Sequence, residues 1–371
     1  MKFILERADA LAAINRVAGV VARNSSVPIL SNVLIETDGA TIRIRGTDLD
    51  MEASTSCLAA IETSGSTTVD AGKLREIVNA ASPGSQISFE LGGDDSDPRM
   101  AVKSGRSRFR LPVLSPDIYP TIPDAEWQAT FSIEAATLSD MLARTVFAAG
   151  TEMARPALIG VYLTITGEDL LAVGCSGRRF ATVKTPAPDG ARDMPSIIIP
   201  TKAAHQIIKL LGDIGTATVS VAANKWRVEI NGATITGKVV DYPYLDYQRG
   251  IPDDVPNIAL ASRDALVGCV KRALIAGESD SVGVGIRLTF SSGLLTVTGR
   301  NPDEEASDEI EIEYDGPETV IGLTAAYVID AVNNLAGDTV AIGFGDDLPV
   351  VVLSSPSDDS AVNTCAKRIV K

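Results

Sequence analysis

The sequence repeats one pattern three times, and this triplication constrains the fold more than any other feature. The copies are PILSNVLIETDGATIRIRGTDLD at residues 28–50, PALIGVYLTITGEDLLAVGCSGR at residues 156–178 and VGIRLTFSSGLLTVTGRNP at residues 284–302. Each has two apolar runs around a glycine-containing turn, then Gly46, Gly174 or Gly299, spaced 128 and 125 residues apart. Solenoid repeats are only about 20–45 residues long, so the pattern predicts three full domains of similar fold.

Each repeat also contains two amphipathic helical stretches. The first helices are predicted at residues 8–23, 136–149 and 263–276, upstream of the hairpins. In the earliest of these, Leu11, Ile14 and Val17 recur at helical spacing. The second helices follow within TTVDAGKLREIVNAAS, SIIIPTKAAHQIIKLLG and TVIGLTAAYVIDAVNNLAG, each before a turn and a strand. We therefore predict an α+β fold with two helices per domain packed on antiparallel sheets.

Proline and acidic residues mark the domain boundaries, where the apolar periodicity stops. PDIYPTIP at residues 116–123 closes the first unit, and PDDVP at residues 252–256 closes the second. We place the domains at residues 1–127, 128–255 and 256–371. Each of these segments is near the usual size of an independent hydrophobic core.

The composition is that of an ordinary globular chain. Hydrophobic residues make up 45% and charged residues 22%, and no apolar run is long enough to span a membrane. MKFILERAD reaches Glu6 and Arg7 too early for a signal peptide, so we expect a cytoplasmic protein without a membrane partner. The four cysteines are widely scattered, which disfavours a disulfide framework or a zinc site.

The motifs of common catalytic sites are missing from the sequence. It has no GxxxxGK[ST] phosphate loop and no HExxH, and GCSGR at residues 174–178 is not a nucleophile elbow because its fifth residue is Arg178. The one histidine, His205, lies in a helical segment, which is typical of a surface or packing position. We expect a protein without catalytic residues, cofactor or metal; an enzyme with a distributed carboxylate site is a disfavoured alternative.

The net charge of −15 argues against nucleic-acid binding when the chain is taken as a whole. The charge is unevenly distributed along the chain, because the helical stretches carry ten basic residues and only five acidic ones. The basic residues are Arg16, Arg23, Lys73, Arg75, Arg144, Lys202, Lys209, Arg263, Lys271 and Arg272. If the six helices faced one surface, that surface would be positive on an acidic body. The alternative is that helix surfaces simply favour lysine and arginine.

Two segments of opposite charge favour self-association. KSGRSRFRL at residues 103–111 is a basic strand with apolar Phe109 and Leu111, and DEEASDE at residues 303–309 is acidic. An edge strand offers unpaired backbone groups, and head-to-tail contacts between unlike surfaces close rings. The alternative is that both are unrelated solvated runs, because exposed ion pairs contribute only about 0–1 kcal/mol each.

Several motifs along the chain point to one family. They are PILSNVLIET followed by GTDLDME, SGRSRFRLPVLSPDIYP, KVVD with a later DY at residues 238–247, and the acidic segment after Asn301-Pro302. Together with the triplication they resemble the bacterial DNA polymerase III beta subunits, the sliding clamps. The resemblance implies three tandem clamp domains per chain and two chains closed head to tail into a six-domain dimeric ring.

The resemblance also implies a function. Duplex DNA would thread the ring without sequence preference, and helices would line the hole. The protein would be a processivity factor that tethers the replicative DNA polymerase and has no catalytic activity. An ATP-driven clamp loader would open the ring and place it on DNA. Polymerase, loader subunits and repair proteins would bind through a short linear peptide.

Residue roles follow from the same resemblance. At the dimer interface it implies Arg106, Arg108, Phe109 and Leu111 on one chain, against Arg272, Ile275, Glu305, Asp308 and Glu309 on the next. At the DNA-facing surface it implies the loop residues Arg23, Asn24 and Arg155, which join the helical residues Arg16, Lys73, Arg75, Arg144, Lys202, Lys209 and Lys271. The partner-peptide pocket would contain Leu158, Cys175, Gly177, Arg179, Phe180, Leu245, Arg249, Leu348, Pro349, Val350, Cys365, Ala366, Lys367 and Arg368.

The sequence departs from the family at this pocket. Family members commonly end in a Met-Pro-Met-Arg type of tail, whereas Cys-Ala-Lys at residues 365–367 precedes the retained Arg368. Leu245 stands where proline is usual, and Ser176 and Arg178 replace an aspartate and a histidine. A smaller, more basic pocket would bury less of an apolar anchor, at about 25 cal/mol per Å² lost. We expect altered partner choice or affinity; the alternative function is a divergent clamp paralogue, or a scaffold that does not encircle DNA.

Overall fold

The structure is a computed structural model that describes residues 1–22, 25–93, 97–152, 154–212 and 214–368. The predicted DNA-facing residues Arg23 and Asn24 lie outside the described residues. The chain divides into two compact units. The first contains Met1–Ser139, Asp193–Pro195 and Gln206–Val239, and the second contains Asp140–Arg192, Ser196–His205 and Val240–Lys371.

Six α-helices occur in the described residues, two in each repeat. They are α1 (Arg7–Val17), α2 (Ala71–Ala80), α3 (Ala135–Val146), α4 (Thr201–Leu211), α5 (Arg263–Ala273) and α6 (Ala325–Asn333). The first helix of each repeat is shorter than its amphipathic stretch, and α5 continues only as a 3-10 turn at Leu274–Ala276. Side chains cap the N-termini of α2 and α5: Asp70 accepts from the Lys73 N–H (2.7 Å) and Ser262 accepts from the Ala265 N–H (3.5 Å). None of the helices in the described ranges is both long and apolar enough to cross a membrane.

Twenty-six β-strands account for most of the remaining described chain. Strands β1 to β10 are Lys2–Glu6, Asn32–Asp38, Thr41–Thr47, Met51–Leu58, Ala60–Thr63, Ser66–Asp70, Gln86–Gly92, Arg99–Ser104, Ser107–Leu114 and Ala129–Glu134. Strands β11 to β17 are Gly160–Thr166, Asp169–Cys175, Arg179–Pro186, Ile197–Pro200, Thr216–Ala222, Lys225–Ile230 and Ala233–Lys238. Strands β18 to β26 are Asn257–Ser262, Ser279–Asp280, Gly283–Ser291, Leu294–Arg300, Glu305–Glu313, Thr319–Thr324, Thr339–Phe344, Val350–Ser355 and Asp358–Ala366.

The described strands form two antiparallel sheets of thirteen strands each. The first runs β10-β15-β16-β17-β4-β3-β2-β6-β9-β8-β7-β1-β5. The second runs β14-β11-β12-β13-β26-β25-β24-β18-β22-β21-β20-β19, with β23 paired to β20. The middle repeat is therefore shared, because β17 pairs with β4 of the first repeat and β13 pairs with β26 of the third. Three repeats thus yield two compact units.

The repeated glycines hold each hairpin against the last turn of the first helix in the same repeat. An added Cβ would lie 1.9 Å from the carbonyl oxygen of Thr145 at Gly174, 1.8 Å from that of Ala273 at Gly299 and 2.9 Å from that of Val17 at Gly46. A side chain cannot fit where strand and helix backbones approach this closely. The glycine in each copy is thus a packing requirement of the fold.

Candidate functional site

A cleft of about 100 Å³ opens in the second unit between a 3-10 turn, Pro156–Leu158, and the turn that joins β12 to β13. Its lining residues are Ala149, Gly150, Thr151, Glu152, Arg155, Leu158, Ser176, Arg178, Arg179 and Tyr327. Of the predicted pocket residues, Leu158 and Arg179 line this cleft. Arg155, which was predicted to face DNA, also lies here.

An apolar cluster adjoins the cleft at Leu158. Its buried members are Leu158, Val173, Cys175 and Phe180, and Tyr162, Leu171, Tyr244, Leu245, Tyr247 and Ile251 pack against them. The rings of Tyr162 and Tyr244 stack with centroids 4.4 Å apart. Burial raises the pKa of the Cys175 thiol, which therefore stays neutral and serves as apolar packing. The structure thus brings four predicted pocket residues, including Leu245, into one apolar surface.

Arg179 joins β13 to α6 at the base of the cleft. Its Nη1 donates to Asp330 Oδ2 (2.8 Å), and its guanidinium lies 4.8 Å from the centroid of the Tyr327 ring. The Arg179 Nε is buried and has no hydrogen-bond partner among the described residues. The Asp330 carboxylate neutralises this arginine, so Arg179 acts as a fixed wall of the cleft.

The turn from Cys175 to Arg179 is held by local hydrogen bonds. Ser176 N–H donates to the Arg179 carbonyl (3.1 Å), and its Oγ accepts from the Arg179 N–H (3.2 Å). Gly177 adopts a φ of 82°, and an added Cβ would lie 2.9 Å from Arg155 Nη1. Glycine is therefore needed both for the turn and for the approach of the Arg155 guanidinium.

Lys367 and Arg368, which follow β26, contact residues outside the cleft lining. The Lys367 N–H donates to the Pro349 carbonyl (2.9 Å), and its Nζ donates to the Gly345 carbonyl. Arg368 forms an ion pair with Asp280. None of the predicted residues Arg249, Leu348, Pro349, Val350, Cys365, Ala366, Lys367 and Arg368 lines the cleft. Cys365 is instead buried opposite Arg179 on β26, and Arg249 is exposed and paired with Asp246 (2.9 Å).

Several cleft residues were not predicted from the sequence. Gly150 is the clearest example, since its N–H donates to the carbonyls of both Leu158 (2.8 Å) and Cys175 (3.1 Å). It lies in the segment between the first helix and the hairpin, which corresponds to the predicted DNA-touching loop of the first repeat. Comparison of the repeats with one another could have located this segment. Tyr327 on α6 carries no comparable sequence signal.

Most predicted basic residues on the helices are exposed. Six of them have exposed side chains on the four helices α1, α2, α4 and α5: Arg16, Lys73, Arg75, Lys202, Lys209 and Lys271. Arg75 Nε also donates to Asn15 Oδ1 (2.8 Å), beside a groove of about 710 Å³ between α1 and α2. Arg144 differs, because its side chain is only 13% exposed and pairs with Asp358 (2.6 Å) and Asp140 (3.1 Å). We therefore remove Arg144 from the DNA-facing set.

Strand β9 in the first unit has a free edge. Among the described strands, residues 107–112 pair only with β8, and β6 pairs with Val113 and Leu114. Phe109 and Leu111 lie opposite the buried Val102 and Met100, so they point to the core face, whereas Arg108 points to the opposite face. This edge therefore has one apolar face and one basic face.

Strand β22 in the second unit has a free edge of opposite charge. Within the described part of the chain, residues 305–311 pair only with β21, whereas β18 pairs with Ile312 and Glu313. Glu305 and Glu309 are exposed on the face away from the core. Asp308 points to the core face, where Arg272 Nε donates to it (2.6 Å) and lowers its pKa. Ile275, three residues after Arg272, is 80% exposed.

Solved structures of clamps are similar to this structure over its full length. The beta sliding clamp of Caulobacter crescentus with bound PEG has a TM-score of 0.94 and 32% identity, covering 100% of this chain and 99% of that chain. The sliding clamp (DNA polymerase III subunit beta) of Bartonella birtlesii bound to griselimycin has a TM-score of 0.94 and 30% identity, covering 100% of both chains. These similarities define the class: three tandem clamp domains with helices on antiparallel sheets, which confirms the predicted fold.

Sequence comparison assigns the family. The chain matches the DNA polymerase III beta subunit N-terminal domain at residues 1–123, the central domain at 132–246 and the C-terminal domain at 248–368. The beta sliding clamp of Caulobacter vibrioides (strain NA1000 / CB15N) is 34% identical over 365 residues, covering 96% of this chain and 97% of that protein. The chain belongs to the DNA polymerase III beta subunit family, and its function is that of a DNA sliding clamp. The predicted family is thereby confirmed.

Proposed function

We propose that two copies of this chain close head to tail into a ring around duplex DNA and tether the replicative polymerase for processive synthesis. The observation that carries this proposal is the pair of free strand edges on β9 and β22. Each copy has one basic edge and one acidic edge. In a head-to-tail dimer, the basic edge of each copy meets the acidic edge of the other. The domains proposed for each copy are residues 1–127, 128–255 and 256–371.

The two edges match in their faces as well as in their charge. Antiparallel addition of β9 from one copy to β22 of the next would satisfy the unpaired backbone groups of both. Arg106 and Arg108 would then lie beside Glu305 and Glu309 on the outer face. Phe109 and Leu111 would lie on the inner face, with Ile275 as their apolar contact. The Arg272–Asp308 pair would remain within one copy and shape that contact.

The proposed DNA surface consists of the exposed basic residues on the helices. They are Arg16, Lys73, Arg75, Lys202, Lys209 and Lys271, together with Arg23 and Asn24 from the loop that the family resemblance indicates. A closed ring needs no tight phosphate contacts to remain on DNA, and weak contacts permit sliding. The negative excess elsewhere on the chain would discourage DNA from binding to the outer surface.

The cleft and the adjoining apolar cluster form the proposed partner site. A short linear peptide would place an apolar side chain against the partly buried side chains that pack around Leu158 and Phe180, because this apolar surface lies beside an open cleft. DNA polymerase III, clamp loader subunits and other proteins with such a peptide would bind here. The protein itself would be cytoplasmic and would supply no catalytic residue, metal or cofactor; the loader would supply the ATP chemistry.

Truncation of the apolar interface is expected to weaken the dimer. Wild type is expected to sediment at about twice 38.9 kDa. In Phe109→Ala with Ile275→Ala, the dimer dissociation constant should rise about 10- to 100-fold, because central apolar contacts dominate interface energies. Leu58→Ala with Val320→Ala removes two other exposed apolar side chains and serves as the matched control. A dimer equally strong in both double variants, measured by sedimentation equilibrium, would contradict the interface.

A further inference from the structure

Two arginines of the second repeat contact α6 of the third repeat. Arg179 on β13 donates to the Asp330 side chain near the middle of this helix (Nη1 to Oδ2, 2.8 Å). Arg144 on α3 donates to the carbonyl of Asn334, the residue that caps the C-terminus of α6 (Nε to O, 3.1 Å). All four residues belong to the second compact unit. The helix is therefore held at two points by side chains that come from another repeat.

The Arg144 guanidinium is held in place through all three of its nitrogens. Nη2 donates to Asp358 Oδ2 (2.6 Å), Nη1 donates to Asp140 Oδ2 (3.1 Å), and Nε is directed to α6. Only 13% of the side chain is exposed. A helix C-terminus has carbonyl groups without intrahelical donors and carries partial negative charge, so a guanidinium is favourable there. Loss of Arg144 would therefore remove a donor from the Asp358 carboxylate and from the end of α6.

A short series of contacts connects the end of α6 to the wall of the cleft. Asn334 donates to the Asp330 carbonyl through its backbone N–H (3.2 Å) and through Nδ2 (2.8 Å). The Asp330 carboxylate pairs with Arg179, whose guanidinium lies 4.8 Å from the centroid of the Tyr327 ring. Arg179 and Tyr327 both line the cleft, whereas Arg144 does not. A shift of the last turn of α6 would therefore move two side chains of the cleft lining.

We infer that Arg144 is a positioning residue for the partner site and acts through the last turn of α6 on the wall formed by Arg179 and Tyr327. This inference rests on the proposed partner site and concerns how that site is held in place. It gives a role to a helix residue whose ion pairs remove it from the DNA-facing surface. The alternative is that Arg144 only stabilises the fold, in which case the affinity of the cleft would not depend on it.

Peptide binding to the full-length protein tests this inference. The probe is a fluorescein-labelled, amidated decapeptide with an apolar Leu-Phe anchor, and fluorescence anisotropy measures its dissociation constant. Arg144→Met keeps the aliphatic stem but has no donor, so the dissociation constant should rise about fivefold. Arg144→Lys keeps the charge but cannot form three directed hydrogen bonds, so a rise of about twofold is expected. Arg192→Met removes an exposed ion pair with Glu168 in the same unit and should bind the probe like wild type.

A double-mutant cycle distinguishes positioning from general stabilisation. Asp330→Ala removes the link between α6 and Arg179, and Asp330 itself does not line the cleft. Asp330→Ala alone should weaken binding by a similar factor, and adding Arg144→Met to it should weaken binding by less than about 1.5-fold further. Wild-type affinity in the folded Arg144 variants, or an undiminished loss in the Asp330→Ala background, would overturn this inference alone. If wild type binds no probe, the partner site itself is wrong and the inference falls with it.

Discussion

Gly174→Ala is expected to destabilise the protein strongly. Its Cβ would lie 1.9 Å from the Thr145 carbonyl oxygen, so the strand and the end of α3 must move apart. Such overpacking against backbone costs about 3 kcal/mol. Gly299→Ala, with 1.8 Å to the Ala273 oxygen, should cost a similar amount, and Gly46→Ala should cost less because its contact is 2.9 Å.

Urea unfolding at one fixed protein concentration measures this effect, since the concentration affects the stability of a dimer. Gly92→Ala is the matched control, because Gly92 also lies in a strand but has nothing within 4 Å of an added Cβ. The urea midpoint should fall clearly for Gly174→Ala, and the free energy of unfolding of the control should remain within about 0.5 kcal/mol of wild type. Equal midpoints for the two variants would contradict the close approach that explains the triplicated glycine.

Charge reversal at either strand edge is expected to abolish the dimer, and mixing the two charge-reversed variants is expected to restore it. Arg106→Glu with Arg108→Glu leaves each copy with two acidic edges, and Glu305→Arg with Glu309→Arg leaves two basic edges. Facing like charges cost several kcal/mol, so each double variant alone should dissociate at least about 100-fold more readily. An equimolar mixture should restore a dimer, because both edge contacts of the heterodimer then join opposite charges.

Sedimentation velocity on each variant and on the mixture provides the measurement. Lys184→Glu with Arg192→Glu changes the net charge by the same amount at other exposed positions and should leave the dimer intact. If each charge-reversed double variant is still a dimer on its own, or if their mixture stays monomeric, β9 and β22 do not form the contact.

The repeats were predictable from sequence because their signals are local. Alternating apolar runs, turn glycines and helical spacing define two helices and a set of hairpins per repeat. The division of the middle repeat was not predictable, since β17 pairs with β4 and β13 pairs with β26 across long stretches of chain. Alternation specifies which face of a strand is buried, but it does not specify the partner strand.

The same limit applies to the site. Resemblance located Leu158, Cys175 and Phe180, which the structure places in one cluster. It could not show that Arg144 pairs with Asp358, which is 214 residues further along the chain. A basic residue on a helix is equally compatible with solvent, DNA or an ion pair until the tertiary partner is known. For this reason the count of basic residues on the helices agrees with the exposed lysines and arginines but not with Arg144, which pairs with Asp358.

Divergence between repeats accounts for the location of the cleft. Pro28 and Pro156 begin equivalent 3-10 turns in the first and second repeats. In the first repeat the turn packs into an apolar cluster with Tyr119, whose hydroxyl lies 3.2 Å from the Asn32 and Arg45 carbonyl oxygens. In the second repeat, the equivalent turn borders the open cleft. The same motif therefore packs beside Tyr119 in one copy and borders the proposed partner site in another.

The central claim is that the protein holds DNA by encircling it. The most direct test loads the protein with its host clamp loader and ATP onto nicked circular DNA, removes free protein by gel filtration and then cuts half of the sample once with a restriction enzyme. We expect the protein to remain with the uncut circles and to slide off the linear molecules. Equal retention on circular and linear DNA would contradict topological binding and favour a scaffold that binds DNA, or its partners, without a ring.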